Sequence, residues 1–283
     1  MPPRPQPTAR QERLGAELRK MREAAGITAR EAAALLGTNP MQMSHMETGR
    51  AGISGRRLRS LASQCACSDT DYVDALVGIA TDRTQGWWED YRGVLPSSFL
   101  DLAELEHHAR FLRSLDVVHI PGLMQVEEYA EALFTYTVPD LPASDLESWV
   151  DHRMRRRTVL EREDTPPYEA VIHEAALRMK VCDRRTNQKQ LSQILELSDS
   201  GRIIVRVIPF SADHFAGAGC SMLHAGGPVP KLDTVQRDTP HGSGHVDAEP
   251  QLDRLRLLYQ KARRASLTPH RSRDLIRHVT HEI

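Results

Sequence analysis

Residues 28–50 read TAREAAALLGTNPMQMSHMETGR and hold two short helical patterns separated by one glycine. In the first pattern, Thr28 can cap a helix and Glu31 lies three residues later, which is the spacing of a capping box. Gly37 ends this pattern where a tight turn requires a positive φ. The stretch therefore predicts a helix of about two turns, a turn, and a second helix.

The second pattern begins directly after the turn. Either Thr38 or Asn39 can cap it. Pro40 fits the first helical position, where a backbone N–H has no partner within the helix in any case. Met43 and Met46 lie three residues apart, so they share one face of the helix, and we expect that face to be buried.

Further helices flank this pair. A helical repeat of apolar residues ends at Gly26, and Ser54 and then Ser68 or Asp69 can cap a fourth and a fifth helix. Ala33 is small enough to let the two central helices cross closely. The order predicts an all-α domain of five helices that contains a phage-repressor-like helix-turn-helix.

Charge is unevenly distributed along the 283 residues, although the formal net charge is −1. Residues 1–66 hold 11 Lys and Arg against 5 Asp and Glu, a net of +6. The rest of the chain holds 26 against 33, a net of −7. A basic segment joined to an acidic body is typical of a nucleic-acid-binding domain attached to an unrelated one.

Composition also limits the classes of protein. No apolar run approaches the roughly 20 residues of a spanning helix, and no apolar run follows the N-terminus. We therefore expect no membrane insertion, no secretory signal and a cytoplasmic location. The four cysteines are too few and too scattered for a disulfide scaffold, and they form no C-x-x-C pair of the kind that a common structural zinc site uses.

The chain divides into four predicted segments: a flexible Pro-rich tail at 1–10, the helical domain at 11–80, a polar linker at 81–86 and a second domain at 87–283. The second domain mixes helical periodicity with short strand-like runs, which predicts an α+β domain with a small sheet flanked by helices. The helical runs lie at 100–115, 125–136, 143–163, 184–198, 250–265 and 269–282, and the strand-like runs at 168–172, 202–208, 221–224 and 232–235. We expect mobile loops over residues 211–249, which are rich in Gly, Pro and His.

The helical domain resembles a known family. Three stretches are similar to the Xre/Cro-type DNA-binding domain: LRKMREAAGIT at 18–28, EAAALLG at 31–37 and METGR at 46–50. The similarity covers about residues 10–80. In that family an arginine late in the first helix pairs with a glutamate near the end of the recognition helix. The resemblance implies a structural ion pair between Arg22 and Glu47.

The resemblance also implies a recognition helix over residues 40–48. It places Asn39, Met41, Gln42 and His45 at the positions that reach the major groove. Gln42 can pair with adenine through two hydrogen bonds, His45 can donate to guanine, and Met41 can contact a thymine methyl group.

Phosphate contacts are implied for Thr28, Arg30, Thr38 and Arg50, which position the domain without reading sequence. The family often has a glutamine beside the cap of the second helix. Here Ala29 and Arg30 follow Thr28, so we expect Arg30 to take over that contact.

The second domain resembles the uncharacterised C-terminal domain of streptomycete-type antitoxin-like regulators. The similar stretches are WWEDY at 87–91, VHIPGLMQ at 118–125, RMRRR at 153–157 and VRVIPF at 205–210. The resemblance implies a transcriptional regulator encoded beside a small partner protein that this domain binds. It brings no catalytic residue and no cofactor.

The residues themselves give weak signals for metal. Glu104 and His107 match half of a di-iron helix pattern, but no second half exists. Two loop sets contain zinc-ligand types without tight spacing: His214, Cys220 and His224, and His241, His245 and Asp247. We expect no metal. We expect the arginines at 153–157 to form a solvated, salt-bridged helix face, and Trp87, Trp88 and Tyr91 to be packing anchors.

These observations favour a sequence-specific transcriptional regulator that binds double-stranded DNA as a homodimer and is not an enzyme. One rival is a partner-neutralising antitoxin with incidental DNA binding, and another is a five-helix docking module with a solvated basic face. A third is a DNA-targeted hydrolase, for which Asp213, His214 and Ser221 are the least unsuitable catalytic candidates.

Overall fold

The computed structural model describes residues 6–138, 140–217, 219, 221–239 and 242–283. The chain divides into two compact units, Met1–Glu89 and Asp90–Ile283. In the described part, no helix combines the length and the apolar character that crossing a membrane requires.

The first unit is entirely helical, as predicted. Each helix begins after a residue whose side-chain oxygen accepts an N–H from the first turn, the arrangement that stabilises helix N-termini. The helices are α1 (Ala9–Ala24), α2 (Ala29–Leu35), α3 (Pro40–Glu47), α4 (Gly55–Gln64) and α5 (Thr70–Thr81), and their caps are Thr8, Thr28, Asn39, Ser54 and Asp69. Helix α1 thus starts before residue 10, where the sequence predicted the end of a flexible tail.

The helix-turn-helix is formed by α2 and α3. Gly37 has φ +61° in the turn between them. Ala33 on α2 is 1% exposed, and Leu36, Met43 and Met46 are also buried in the core of the first unit. The expected inward face of α3 and the tight turn are both present.

The second unit contains a mixed sheet in the strand order β3-β2-β1-β4-β5-β6. Strands β1, β2 and β3 run parallel to one another, and β4, β5 and β6 are joined to β1 by antiparallel pairings. The strands are β1 (Leu112–Asp116), β2 (Tyr168–His173), β3 (Ile203–Ile208), β4 (Met222–Ala225), β5 (Thr234–Thr239) and β6 (Gly242–Val246).

Helices cover both faces of this sheet. Ile194 of α10 and Ile276 of α12 belong to the core on one face, and Tyr259 of α11 belongs to the core on the other. The helices are α6 (Ser97–His108), α7 (Glu127–Thr137), α8 (Ala143–Arg156), α9 (Glu174–Arg178), α10 (Arg184–Asp199), α11 (Glu249–Ala265) and α12 (Pro269–Glu282), with single 3-10 turns at Trp87–Tyr91, Gly122–Met124, Arg157–Leu160 and Pro230–Leu232. The α+β prediction is confirmed.

Two local predictions were wrong. The helical pattern expected over 100–115 ends at His108, and residues 112–116 form β1. Both faces of β1 are covered, so Leu112 and Leu115 are buried on opposite sides and the polar alternation of a half-exposed strand is missing. Residues 211–249 were also expected to be mobile loops, but the strand-like runs at 221–224 and 232–235 overlap β4 and β5, and β6 was not predicted because its glycines and histidine masked the strand pattern.

Candidate functional site

Side-chain caps fix the N-termini of α2 and α3, the two helices of the helix-turn-helix. The Glu31 N–H donates to Thr28 Oγ1 at 3.2 Å, and the Thr28 N–H donates to Glu31 Oε2 at 2.7 Å, which completes the capping box. The Gln42 N–H donates to Asn39 Oδ1 at 2.8 Å. The Thr28 and Asn39 side chains therefore set the starts of α2 and α3, while the amide NH₂ of Asn39 remains a donor that can reach outward.

One face of α3 is buried and the other is open. Met43 and Met46 are 0% and 2% exposed, whereas Met41 is 71% exposed. Gln42 and His45 are half-buried, and within the described part of the chain their side chains have no hydrogen-bond partner. We call Asn39, Met41, Gln42 and His45 the recognition face. The structure gives these four residues the accessibility that contact with base edges requires.

The predicted phosphate contacts surround this face in the sequence. Thr28 and Arg30 lie at the start of α2 and are exposed, Thr38 is half-buried in the turn, and Arg50 is exposed just after α3. Their donors are therefore reachable from solvent, as contacts to a DNA backbone require.

A buried ion pair anchors α3 to α1. Arg22 Nε lies 2.5 Å from Glu47 Oε1, and its Nη2 lies 3.1 Å from Oε2, so the pair is bidentate. Arg22 Nη1 also donates to the Ile27 carbonyl at 2.8 Å. The hydrogen bond with Glu47 raises the pKa of Arg22. The end of α3, α1 and the segment between α1 and α2 are thus held by one guanidinium.

Backbone packing makes this junction tight. A Cβ at Gly15 of α1 would lie 2.6 Å from the Glu47 carbonyl oxygen. Gly49 has φ +74°, and a Cβ there would lie 2.8 Å from the backbone of Gln11. Glycine at both positions lets α3 lie directly against α1, which fixes the orientation of the recognition face.

The first unit carries a recognised module. The family model of a helix-turn-helix domain matches residues 13–76, a span that includes α2, the turn and α3. This part of the chain is the DNA-binding module of a regulator.

A second family model, described as a domain of unknown function, DUF5753, matches residues 99–278, which is more than half of the chain. The chain belongs to the DUF5753 family. No curated protein and no solved structure matches it. The helix-turn-helix and the DUF5753 domain therefore occupy separate parts of one chain.

The metal candidates from the sequence can be followed only in part, since each loop set includes one residue outside the described chain. Within the described residues, no group of three His, Cys, Asp or Glu side chains could hold a metal ion. His224 is buried, and its Nε2 lies 2.9 Å from Asp233 Oδ2, which also accepts from Arg256 Nη2 at 2.7 Å. Cys220 and His241 lie outside the described residues.

The hydrolase candidates are not brought together either. Asp213 and His214 are exposed in the turn region before β4, whereas Ser221 borders a cavity of the DUF5753 domain. Among the described residues no hydrogen bond joins these three side chains.

The arginine-rich end of α8 differs from the expected solvated face. Arg155 does bond an exposed partner, Asp90, at 3.1 Å. Arg156 is buried and donates to both oxygens of Glu106, at 2.5 and 2.9 Å. Arg153 Nη1 donates to Gln125 Oε1 at 2.5 Å and lines the cavity. The expectation was wrong for Arg153 and Arg156 because their partners lie 28 and 50 residues away in the chain, where no sequence pattern connects them.

Proposed function

We propose that this DUF5753 protein is a sequence-specific transcriptional regulator that places α3 in the major groove of double-stranded DNA. The observation that carries the proposal is the division of α3 into two faces. Met43 and Met46 are locked into the core, while Gln42 and His45 are reachable and have no partner within the described chain. A side chain that reads a base edge needs this freedom on a rigid support.

The chemistry of the recognition face suits direct readout. Gln42 can bond adenine through its amide, His45 can donate to guanine, and the exposed Met41 can contact a thymine methyl group. Each good polar pair discriminates against the wrong base by about 1–3 kcal/mol. Thr28, Arg30, Thr38 and Arg50 would supply phosphate contacts that place the domain on the duplex.

We further propose that the chain acts in the cytoplasm as a homodimer on a two-fold operator, with half-sites about 10 bp apart or a multiple of that spacing. The DUF5753 domain would have no enzymatic activity. Its role would be antitoxin-like: it would bind a small protein encoded nearby or a ligand, and so change the geometry of the two DNA-binding domains. The excess of negative charge outside residues 1–66 supports a body that does not itself bind DNA.

Selection of genomic fragments by the purified full-length chain tests this function. We expect enrichment of discrete palindromic fragments, with two chains on each site by mass photometry. Protein–DNA affinity should fall as salt rises, because phosphate contacts release counterions. Uniform enrichment across the genome, or one chain per selected site, would contradict the proposal.

A further inference from the structure

A partly open cavity, lined by both polar and apolar side chains, lies on one face of the sheet in the DUF5753 domain. Its volume is about 180 Å³. Its walls come from α6, the segment at 119–125, α8 and the strands β1, β2, β4 and β5. Since about 10–15 Å³ of such volume holds one water, the cavity has room for a small molecule.

The sheet places polar side chains on this covered face in two rows. Ser114 of β1 lies opposite Leu223 of β4, which lies opposite Gln236 of β5. Continuing the same register by two residues brings Asp116, Ser221 and Asp238 into the next row, and the Asp238 N–H donates to the Ser221 carbonyl at 3.4 Å. All of these residues line the cavity.

This pattern is unusual for a covered sheet face. The alternate residues on the same strands, Leu115 and Val235, pack in the core on the opposite face. Burying polar groups disfavours folding unless each group finds a partner. Asp238 is exposed, but Asp116 Oδ2 is screened from solvent and has no hydrogen-bond partner among the described residues, which indicates a selected site and not a packing solution.

The buried charges of the cavity are only partly neutralised by one another. Glu106 and Arg156 form a bidentate pair and neutralise each other. Arg153 faces the neutral amide of Gln125, whose own Nε2 donates to the Ile120 carbonyl at 2.7 Å.

Two buried polar atoms of cavity-lining residues have no hydrogen-bond partner within the described chain. These atoms are Asp116 Oδ2 and Arg153 Nε, which are screened from solvent. Burial raises the pKa of Asp116 to about 7, and the neighbouring Asp238 carboxylate adds to this shift. Burial and the charge of Arg156 lower the pKa of Arg153 to about 9. One unsatisfied acceptor and one unsatisfied donor thus border the same cavity.

We infer that this cavity binds a small zwitterion of amino-acid size, with its ammonium group at Asp116 and Asp238 and its carboxylate at Arg153. Both unsatisfied atoms gain charged partners in this arrangement, and charge-assisted hydrogen bonds are the strongest kind. Phe99, Leu102 and Leu133 provide an apolar wall for the remainder of the ligand. Resting on the function proposed above, we assign the bound molecule the role of effector for DNA binding.

Thermal shift and calorimetric titration of the full-length chain with the twenty standard L-amino acids test the inference. We expect at least one to bind and to raise the melting temperature. Its N-acetyl derivative, which lacks the cation, and its carboxamide, which lacks the anion, should each bind at least about tenfold more weakly. Failure of all twenty to bind, or binding of either derivative as tight as that of the parent amino acid, would overturn the inference.

Variants locate the site. Asp116→Asn and Arg153→Gln should each weaken binding of the same amino acid at least about tenfold, whereas Arg155→Gln on the exposed side of α8 should leave it within about twofold. If Asp116→Asn or Arg153→Gln fails to fold, Asp238→Asn replaces it with the same expectation. Retained affinity in the cavity variants would overturn the inference.

The effector role is tested separately, by measuring the DNA affinity of the chain with and without the amino acid. Binding of the amino acid without any change in DNA affinity would keep the cavity site and remove the regulatory role. Sequence-specific DNA binding by a chain that binds none of the amino acids would keep the regulator and remove the site.

Discussion

Each of the two units contains a buried, bidentate arginine–glutamate pair, and the two pairs support opposite kinds of surface. Arg22 and Glu47 hold α3 so that its outer side chains face solvent. Arg156 and Glu106 form part of the wall of a cavity. The first pair supports an outward-facing set of side chains, and the second borders a recessed one. The same chemistry thus supports the proposed DNA contact in one unit and the proposed small-molecule site in the other.

Breaking one of these pairs should give the largest effect. Glu47→Ala leaves the Arg22 guanidinium buried without its carboxylate, which costs about 3–5 kcal/mol of unfolding free energy. Urea denaturation of the full chain, followed by a signal from the first unit, measures this loss.

Asp74→Ala is the matched control, because Asp74 pairs with Arg59 between the exposed surfaces of α5 and α4. That change should cost less than about 1 kcal/mol. Similar losses for the two variants would mean that the Arg22–Glu47 pair does not anchor α3.

Asp116→Asn should stabilise the DUF5753 domain in a pH-dependent way. The pKa of Asp116 lies near 7 in the folded chain and is raised by burial, whereas the unfolded carboxyl titrates near pH 4. Between these values the unfolded state loses a proton that the folded state keeps, so wild-type stability falls as pH rises. The asparagine side chain of the variant does not titrate, so the stability of the variant does not fall with rising pH for this reason.

The stability gap should therefore grow from pH 4 to pH 7, reach roughly 2–4 kcal/mol and stay constant above that. The other titratable or charged groups that line the same cavity are Glu106, His119, Arg153, Arg156 and Asp238. Thermal melting of both proteins at each pH provides the measurement. A gap that is independent of pH would exclude a buried, unpaired Asp116.

Substitutions at two glycines of the first unit test whether α3 needs its close contact with α1. Gly49→Ala combines a positive φ with a Cβ 2.8 Å from the backbone of Gln11, so we expect a loss of about 2–3 kcal/mol in unfolding free energy and weaker DNA binding. Gly26→Ala has a similar φ of +70° but open space around the added Cβ, and should cost about 1 kcal/mol. Equal losses would show that α3 does not need its close contact with α1.

The smallest expected effect concerns a single phosphate contact. Arg50→Ala should weaken binding to all DNA sequences alike and reduce the slope of log affinity against log salt by about 1. Arg19→Ala, on the exposed surface of α1, serves as the control and should leave that slope unchanged. A change in sequence preference would instead place Arg50 among the base-reading residues.

Local and distant contacts explain what the sequence predicted. The caps at Thr28, Asn39 and Ser54 act within three residues, so the helices of the first unit could be located from the sequence almost to the residue. Strand β1 and the cavity depend on neighbours far away in the chain: the Asp116 row needs β4 and β5. Burial on both faces also removed the alternation that would have marked β1 as a strand.

The site residues follow the same rule. The recognition face lies on one short helix and its cap, and the family resemblance alone grouped Asn39, Gln42 and His45. Arg153 and Arg156 stood in an arginine run that suggested a solvated surface, and only the folded chain brings Gln125 and Glu106 to them. Sequence reasoning could thus propose a surface on one element, but it could not find a cavity shared by several.

The central claim is that α3 reads base edges through Gln42 and His45. Its most direct test is to measure the affinity of the wild-type chain and the Gln42→Ala, His45→Ala double variant for a selected operator and for every single-base-pair variant of that operator, at one fixed salt concentration. The claim predicts wild-type discrimination of about 5- to 150-fold at particular A·T and G·C pairs, and loss of that discrimination in the double variant with unchanged affinity for unrelated DNA. An unchanged pattern of base-pair discrimination in the double variant would contradict it.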